Sequence, residues 1–267
     1  MTVERDPSLE PRSLAGATAV VTGASRGIGF AIARSLVGRG AHVALFARNR
    51  ERLEAAAAEL GSSALPVAVD VGDPASVRAG FARVHEARGG LDVLVNNAGI
   101  AGLGRIEDIT DDDLRREIDT NLLGAVHCSR AAIPLLRAAG GGDIVNVSSS
   151  SVADPYPYLS IYAATKAALE MFSVALRREV KADGTRVIVM RLGPSWTTFN
   201  EAWDAGAAEK AFAVWQEQGY AGWDGSMDPE IAGESVARAL ELPPQAGMDY
   251  FEIAPTAKAP TEPVERK

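Results

Sequence analysis

Ala17-Thr-Ala-Val-Val-Thr22-Gly-Ala-Ser-Arg-Gly-Ile-Gly29 decides how this chain folds. A short apolar run that ends at glycine reads as a strand buried on both faces of a parallel sheet. Gly23, Gly27 and Gly29 then make a tight turn, because glycine reaches backbone conformations closed to other residues. A helix follows to about Arg39, closed by Gly40. The same alternation continues outward. Strands are expected at His42 to Ala47, Leu65 to Asp70, Leu91 to Asn96, Asp143 to Ser148, Arg186 to Arg191 and Asp249 to Ala254. Helices are expected at Glu51 to Leu60, Pro74 to Arg88, Asp111 to Arg137 with a bend near Pro134, Tyr162 to Lys181, and Pro229 to about Leu242. Strand and helix in alternation make an α/β fold: one doubly wound parallel sheet of the Rossmann type, covered on both faces.

At 267 residues the chain can bury one sizeable core, and no linker or repeat divides it. The expected organisation is a tail at 1–14, a catalytic domain at 15–255 and a second tail at 256–267. The net charge of −8 argues against a nucleic-acid partner, which calls for a basic face. A single cysteine, Cys128, rules out an internal disulfide and fits a reducing, cytoplasmic setting. His42, His85 and His127 have no metal-ligand spacing, so no metal is expected. The charged N-terminus does not read as a secretory signal. No run approaches the ~18 apolar residues of a membrane span.

Two motifs carry chemistry. The glycine turn lets a phosphate approach the backbone, and the helix start behind it offers free N–H groups and a positive dipole end. Downstream, Tyr162-Ala-Ala-Thr-Lys166 sets a phenol and an ammonium one helical turn apart on one face. A free tyrosine titrates near ~10. A nearby cation favours the phenolate, so Lys166 is expected to bring Tyr162 toward neutrality.

Taken with Asn96-Asn-Ala-Gly99 and Ser149, thirteen residues before Tyr162, these motifs resemble those of the short-chain dehydrogenase/reductase family. The resemblance spans roughly residues 15 to 255. It implies an oxidoreductase that moves a hydride between a nicotinamide cofactor and a carbonyl or secondary alcohol. In that light Tyr162 is the proton donor or base, and Lys166 binds the nicotinamide ribose. Ser149 bonds the substrate oxygen, and Asn121 helps relay protons. Cofactor contacts fall to Gly23, Ser25, Arg26, Gly27, Ile28, Gly29, Asp70, Val71, Asn97, Ala98, Gly99, Gly193 and Thr197, besides Tyr162 and Lys166. Leu192-Gly193-Pro194 departs from the family's proline-glycine order, which bears on the pocket floor. A homodimer or homotetramer is also implied, through the long helices around 111–137 and 162–181.

The second strand ends at Ala47 with Arg48 next, where a carboxylate would accept bonds from ribose hydroxyls. Arg48 and Arg26 suit a 2′-phosphate instead, which points to NADP(H). The segment 195–227 breaks the alternation with Trp196, Phe199, Trp203, Phe212, Trp215, Tyr220 and Trp223. It reads as a satellite core or as a substrate lid. Ile100, Leu103, Tyr156, Tyr158, Trp196, Phe199 and Trp203 are the candidate pocket residues, and they suggest an apolar or cyclic small molecule. Competing readings are a cofactor sensor or scaffold, and an epimerase or dehydratase on the same fold.

Overall fold

The structure is a computed structural model that describes residues 10–256 apart from 196, 202, 221–225 and 244. Seven strands form one parallel sheet in the order β3-β2-β1-β4-β5-β6-β7. The strands are β1 (Thr18–Thr22), β2 (His42–Ala47), β3 (Ala64–Ala68), β4 (Val93–Asn96), β5 (Gly142–Ser149), β6 (Thr185–Leu192) and β7 (Tyr250–Ile253). All five residues of β1 are buried, as a central strand covered on both faces requires. Pro66 sits in the edge strand β3, where a missing amide costs the ladder least.

Helices cover both faces. They are α1 (Gly27–Val37), α2 (Arg50–Leu60), α3 (Pro74–Arg88), α4 (Asp111–Ile118), α5 (Gly124–Ala138), α6 (Ser160–Val180), α7 (Ala205–Glu217) and α8 (Pro229–Leu240). One core joins β-strand residues such as Val21, Leu45 and Val145 to Ile32 and Leu36 of α1 and Val236 of α8. The opposite core joins Val20, Leu94 and Ile144 to Phe81 of α3, Leu136 of α5 and Leu176 of α6. The fold is therefore the doubly wound Rossmann-type sheet that the alternation of strands and helices predicts.

Two differences from the expected elements have physical causes. The stretch 111–137 is not one helix bent at Pro134. Pro134 lies inside an unbroken α5, and the interruption is a π-type turn at Asp119–Leu123 between α4 and α5. Such wide turns are uncommon and gather at functional sites, and this one carries Asn121. The expected tail at 1–14 is also fastened before its end. Leu14 is buried in the core, and Arg12 donates to the buried Asp143 carboxylate at 2.5 Å. Residues 1–9 and 257–267 of the two expected tails lie outside the described residues. Among the described residues no helix is long and apolar enough to cross a membrane, and no group of side chains could hold a metal ion.

Asp143 is fully buried and also accepts from Arg186 Nε at 2.5 Å, while Arg186 donates onward to the carbonyls of Leu240, Leu242 and Ala246. Removing one partner of a buried ion pair leaves an uncompensated charge. Asp143→Ala should therefore lose about 3–5 kcal/mol in urea unfolding. A loss below about 1 kcal/mol would mean that the carbonyls alone satisfy Arg186.

Candidate active site

The strand order reverses direction between β1 and β4, the place where open α/β sheets form a crevice beyond their carboxyl ends. A cleft of about 500 Å³ opens there. One end is the glycine turn. Gly23 and Gly27 hold positive φ, +67° and +57°, which favours glycine. Gly29 could carry no side chain, because a Cβ would stand 2.4 Å from Gly23 O and 2.5 Å from Asn97 Nδ2. The first amides of α1 have no side-chain cap from Arg26. That leaves a helix N-terminus open beside Gly23, Gly27, Ile28 and Gly29, as a pyrophosphate site needs.

The turn is tied to β4 through Thr22. Its hydroxyl accepts from the Asn97 and Ala98 amides at 2.9 Å each, and Asn97 Nδ2 donates to Thr22 O at 2.9 Å. Asn97, Ala98 and Gly99 line the cleft as a result. Asn96 turns the other way, into the sheet. It donates to Asn146 Oδ1 at 2.8 Å, and Asn146 donates to Ser173 Oγ at 2.7 Å. This gives Asn146, which the sequence left without a role, a place in a buried polar chain linking β4, β5 and α6.

Arg48 and Arg26 line the cleft at the same end as the glycine turn, Arg26 within that turn and Arg48 just after the neighbouring β2, and both are exposed. Arg26 meets Glu201 at 2.6 Å, a pair open enough to solvent to be worth little. Asp70 and Val71 do not line this cleft. Asp70 Oδ1 accepts from the Gly72 amide at 3.0 Å in a local turn, and Val71 packs in the core. Ser25 is also outside the lining residues. Gly193 and Thr197 are within it, with Thr197 folded over Gly27. After β6 the Leu192-Gly193-Pro194 stretch stays paired: the Gly193 amide donates to Ile253 O, and Pro194 O accepts from the Met227 amide.

Ser149, Tyr162 and Lys166 converge on the middle of the cleft. Ser149 ends β5, while Tyr162 and Lys166 share one face of α6. Lys166 is almost fully buried and donates to Val147 O at 2.9 Å, with its Nζ 5.7 Å from the Tyr162 ring centre. Asn121, in the wide turn, exchanges bonds with Ile100: Oδ1 accepts from the Ile100 amide and Nδ2 donates to Ile100 O, each at 2.8 Å. It also donates to Thr165 Oγ1 at 3.1 Å, so Asn121 stands behind the cleft rather than in its lining.

The electrostatics depart from the expectation that Lys166 would lower the tyrosine. Burial pushes the Tyr162 phenol up to about 12. Its hydrogen bond with Ser149 works against that rise, and the charge of Glu117 adds to it. Burial also drives Lys166 down to about 8, partly offset by Glu117. In this site desolvation outweighs the ammonium, whose nearest bond is to a carbonyl and not to the phenol.

Aromatic residues close the remaining side. Tyr156, Phe199, Trp203 and Trp215 line the cleft together with Ile100. Phe199 stands over Tyr162 with ring centres 5.6 Å apart. Both indole N–H groups are spent on backbone: Trp203 donates to Ala101 O at 2.9 Å and Trp215 to Pro157 O at 2.7 Å. Satellite core and cleft wall are thus one structure, with Trp215 at its centre. Two pocket candidates fall elsewhere. Leu103 packs within that satellite core, and Tyr158, at a positive φ of 71°, lines a separate outer groove. Trp196 and Trp223 lie outside the described residues. Two residues of consequence were not singled out from sequence. Trp215 was one aromatic among seven, and Glu117 sat in a charge run that reads as a solvated helix face.

A family model described as short chain dehydrogenase matches residues 17–208. An oxidoreductase of Botryotinia fuckeliana is 38% identical over 174 residues, covering 65% of this chain and 64% of that one, so the chain spans a little under two thirds of that relative's length. An NADP-dependent 3-hydroxy acid dehydrogenase of Salmonella typhimurium is 32% identical, covering 90% of this chain and 95% of that one. Among solved structures, L-sorbose reductase from Gluconobacter frateurii, complexed with NADPH and L-sorbose, matches with a TM-score of 0.79 at 32% identity, covering 91% of this chain and 97% of that one. A 3-ketoacyl-(acyl-carrier-protein) reductase from Brucella melitensis, complexed with NADH, matches with a TM-score of 0.81 at 25% identity, covering 92% and 99%.

Glu117 offers a direct check on these electrostatics. It is 1% exposed, and burial raises its carboxyl to about 7 against the lowering effect of the Gly102 amide. A carboxyl whose folded pKa lies above its unfolded value costs stability as pH rises from that unfolded value to the folded one. The penalty is nearly absent below pH 4 and essentially complete by pH 8. Relative to its gap from the wild type at pH 4, Glu117→Gln should gain up to roughly 3 kcal/mol at pH 8. Thermal melts at the two pH values decide it. An equal gap at both would show that Glu117 does not titrate in this range.

Proposed function

The chain belongs to the short-chain dehydrogenase family, and on that premise we propose that it is an oxidoreductase that moves a hydride between NADP(H) and a carbonyl or secondary alcohol. The observation that carries this reading is the convergence of Ser149, Tyr162 and Lys166 on the cleft that the glycine turn opens.

Gly23, Gly27, Ile28, Gly29, Asn97, Ala98, Gly99, Gly193 and Thr197 would hold the dinucleotide, with Lys166 toward the nicotinamide ribose. When bound, NADPH supplies the hydride. The rest falls to the protein's own side chains. Hydride arriving at a carbonyl carbon builds negative charge on oxygen, and donors aimed at that oxygen stabilise it. Ser149 Oγ and the Tyr162 hydroxyl, which share a hydrogen bond, are those donors. A phenol held high is fully protonated at neutral pH, which suits Tyr162 to give its proton in reduction. Asn121, braced against Ile100 and Thr165, would position the relay that returns the proton.

For the cofactor, the solved relatives include both NADPH and NADH complexes, so the residues beside the glycine turn decide. Arg48 and Arg26 stand there and, among the described residues, no acid lines the cleft, which favours a 2′-phosphate. That phosphate would compete with Glu201 for Arg26. For the substrate, the charged lining residues are Arg26, Arg48 and Lys166 alone among those described, and none belongs to the aromatic end. A neutral, apolar or cyclic ketone suits that end better than a carboxylate, which would lack a cation. The segment 195–227 is read as the substrate lid of a single domain at 15–255. Met171 and Val174, exposed on α6, support self-association as a homodimer or homotetramer.

Tyr162→Phe should cut turnover by about 10²–10⁴-fold while NADPH affinity holds, since general acid catalysis is lost and binding is not. Retained turnover in that variant would refute Tyr162 as the acid. Arg48→Ala should lower the NADPH-over-NADH affinity ratio by about ten- to a hundredfold, the worth of one charge-assisted bond. Isothermal titration with each cofactor measures it, and an unchanged ratio would overturn the preference for NADP(H).

A further inference from the structure

Between β4 and α4 the chain crosses the cleft as a strap, residues 99–103, and three side chains hold its backbone. Asn121 clasps Ile100 on both sides, and Trp203 Nε1 donates to Ala101 O. One helical turn before Asn121, Glu117 Oε2 accepts from the Gly102 amide at 3.0 Å. Gly102 allows this approach, because a Cβ there would stand 3.0 Å from the same oxygen. The other oxygen, Oε1, is buried with no hydrogen-bond partner among the described residues. A half-satisfied carboxyl at 1% exposure is costly, and a native fold retains such a group for a reason.

We propose that Glu117 is a positioning residue for substrate binding: through the Gly102 amide it fixes the strap whose Ile100 and Ala101 wall the cleft. Ile100 and Ala101 line the cleft directly, and Glu117 does not, so it acts through the strap. Of the three clasps, Glu117 alone can change charge. The charged and titratable groups around it are Asp113 and Arg116 on its own helix and Lys166 and Tyr162 on α6. A charged acceptor makes a bond about twice as strong as a neutral one, so protonation loosens the strap without releasing it. With its carboxyl raised to about 7, that loosening falls within the working pH range.

This inference rests on the proposed reductase activity for its kinetic arm only. The experiment uses the full chain with NADPH, taking 1-tetralone as the reporter ketone, and two variants. Glu117→Leu removes the acceptor and should raise KM about tenfold with kcat little changed. Glu117→Gln keeps a neutral oxygen for the Gly102 amide, as the protonated wild type does, and should bring KM back to the wild-type value at pH 6. The wild-type KM should rise as pH falls from 8 to 6, while that of Glu117→Gln stays level. Hydrogen exchange at the Gly102 amide, read in the NADPH complex, needs no turnover. It should quicken in Glu117→Leu and stay slow in Glu117→Gln. If Glu117→Leu does not fold, the Gln variant's level pH profile and slow exchange carry the test. Unaltered Gly102 exchange in Glu117→Leu, or a pH-dependent KM in Glu117→Gln that matches the wild type, would overturn the proposal. A wild type that turns over no ketone would refute the proposed activity and leave the exchange result to decide the role of Glu117.

Discussion

The close approach of the β1 and β4 ends is the constraint on which the site depends. Thr22 holds the Asn97 and Ala98 amides, Asn97 holds Thr22 O, and Gly29 leaves no room for a methyl group between them. That packing opens the glycine turn toward the cleft and starts the strap in the right direction. Every later contact inherits its placement: Asn121 on Ile100, Trp203 on Ala101, Glu117 on Gly102. The sheet supplies the crevice at its topological switch point, and this cross-link gives the crevice its two walls.

Burial then sets the chemistry. Tyr162 and Lys166 share a helix face, but the site is dry enough that desolvation moves both away from the charged form. A protonated phenol beside Ser149 suits delivery of a proton more than its removal. The aromatic wall extends the same principle. With the Trp203 and Trp215 N–H groups already bonded to backbone, these two residues present ring faces and little polarity to a substrate.

Much of this was legible in the sequence. The apolar run into Gly23 and the repeated strand–helix alternation named the sheet, because buried parallel strands read as continuous apolar segments. Tyr162 and Lys166 were legible from helical spacing, and Ser149 from its distance to Tyr162 in a family pattern. What was hidden depended on tertiary contact. The wide turn at Asn121 leaves no composition signal, whereas Pro134 offers a false one. Glu117 lies among Asp111, Asp112, Asp113, Arg115 and Arg116, and only packing shows that it alone of these turns inward. Tyr158 looked like its neighbour Tyr156 until its positive φ sent it to another groove. The direction of the Tyr162 shift was hidden for a similar reason, since solvation is a property of the fold and not of spacing.

The central claim is that this cleft carries out hydride transfer rather than binding a dinucleotide alone. Incubating the protein with NADPH deuterated at the transferable position and a set of neutral cyclic and aromatic ketones tests it most directly. The account predicts one deuterium on the carbinol carbon of the product for each NADPH oxidised, seen by NMR. Tight NADPH binding with no deuterium in any product would contradict it, and would make the protein a cofactor-binding module on a reductase fold.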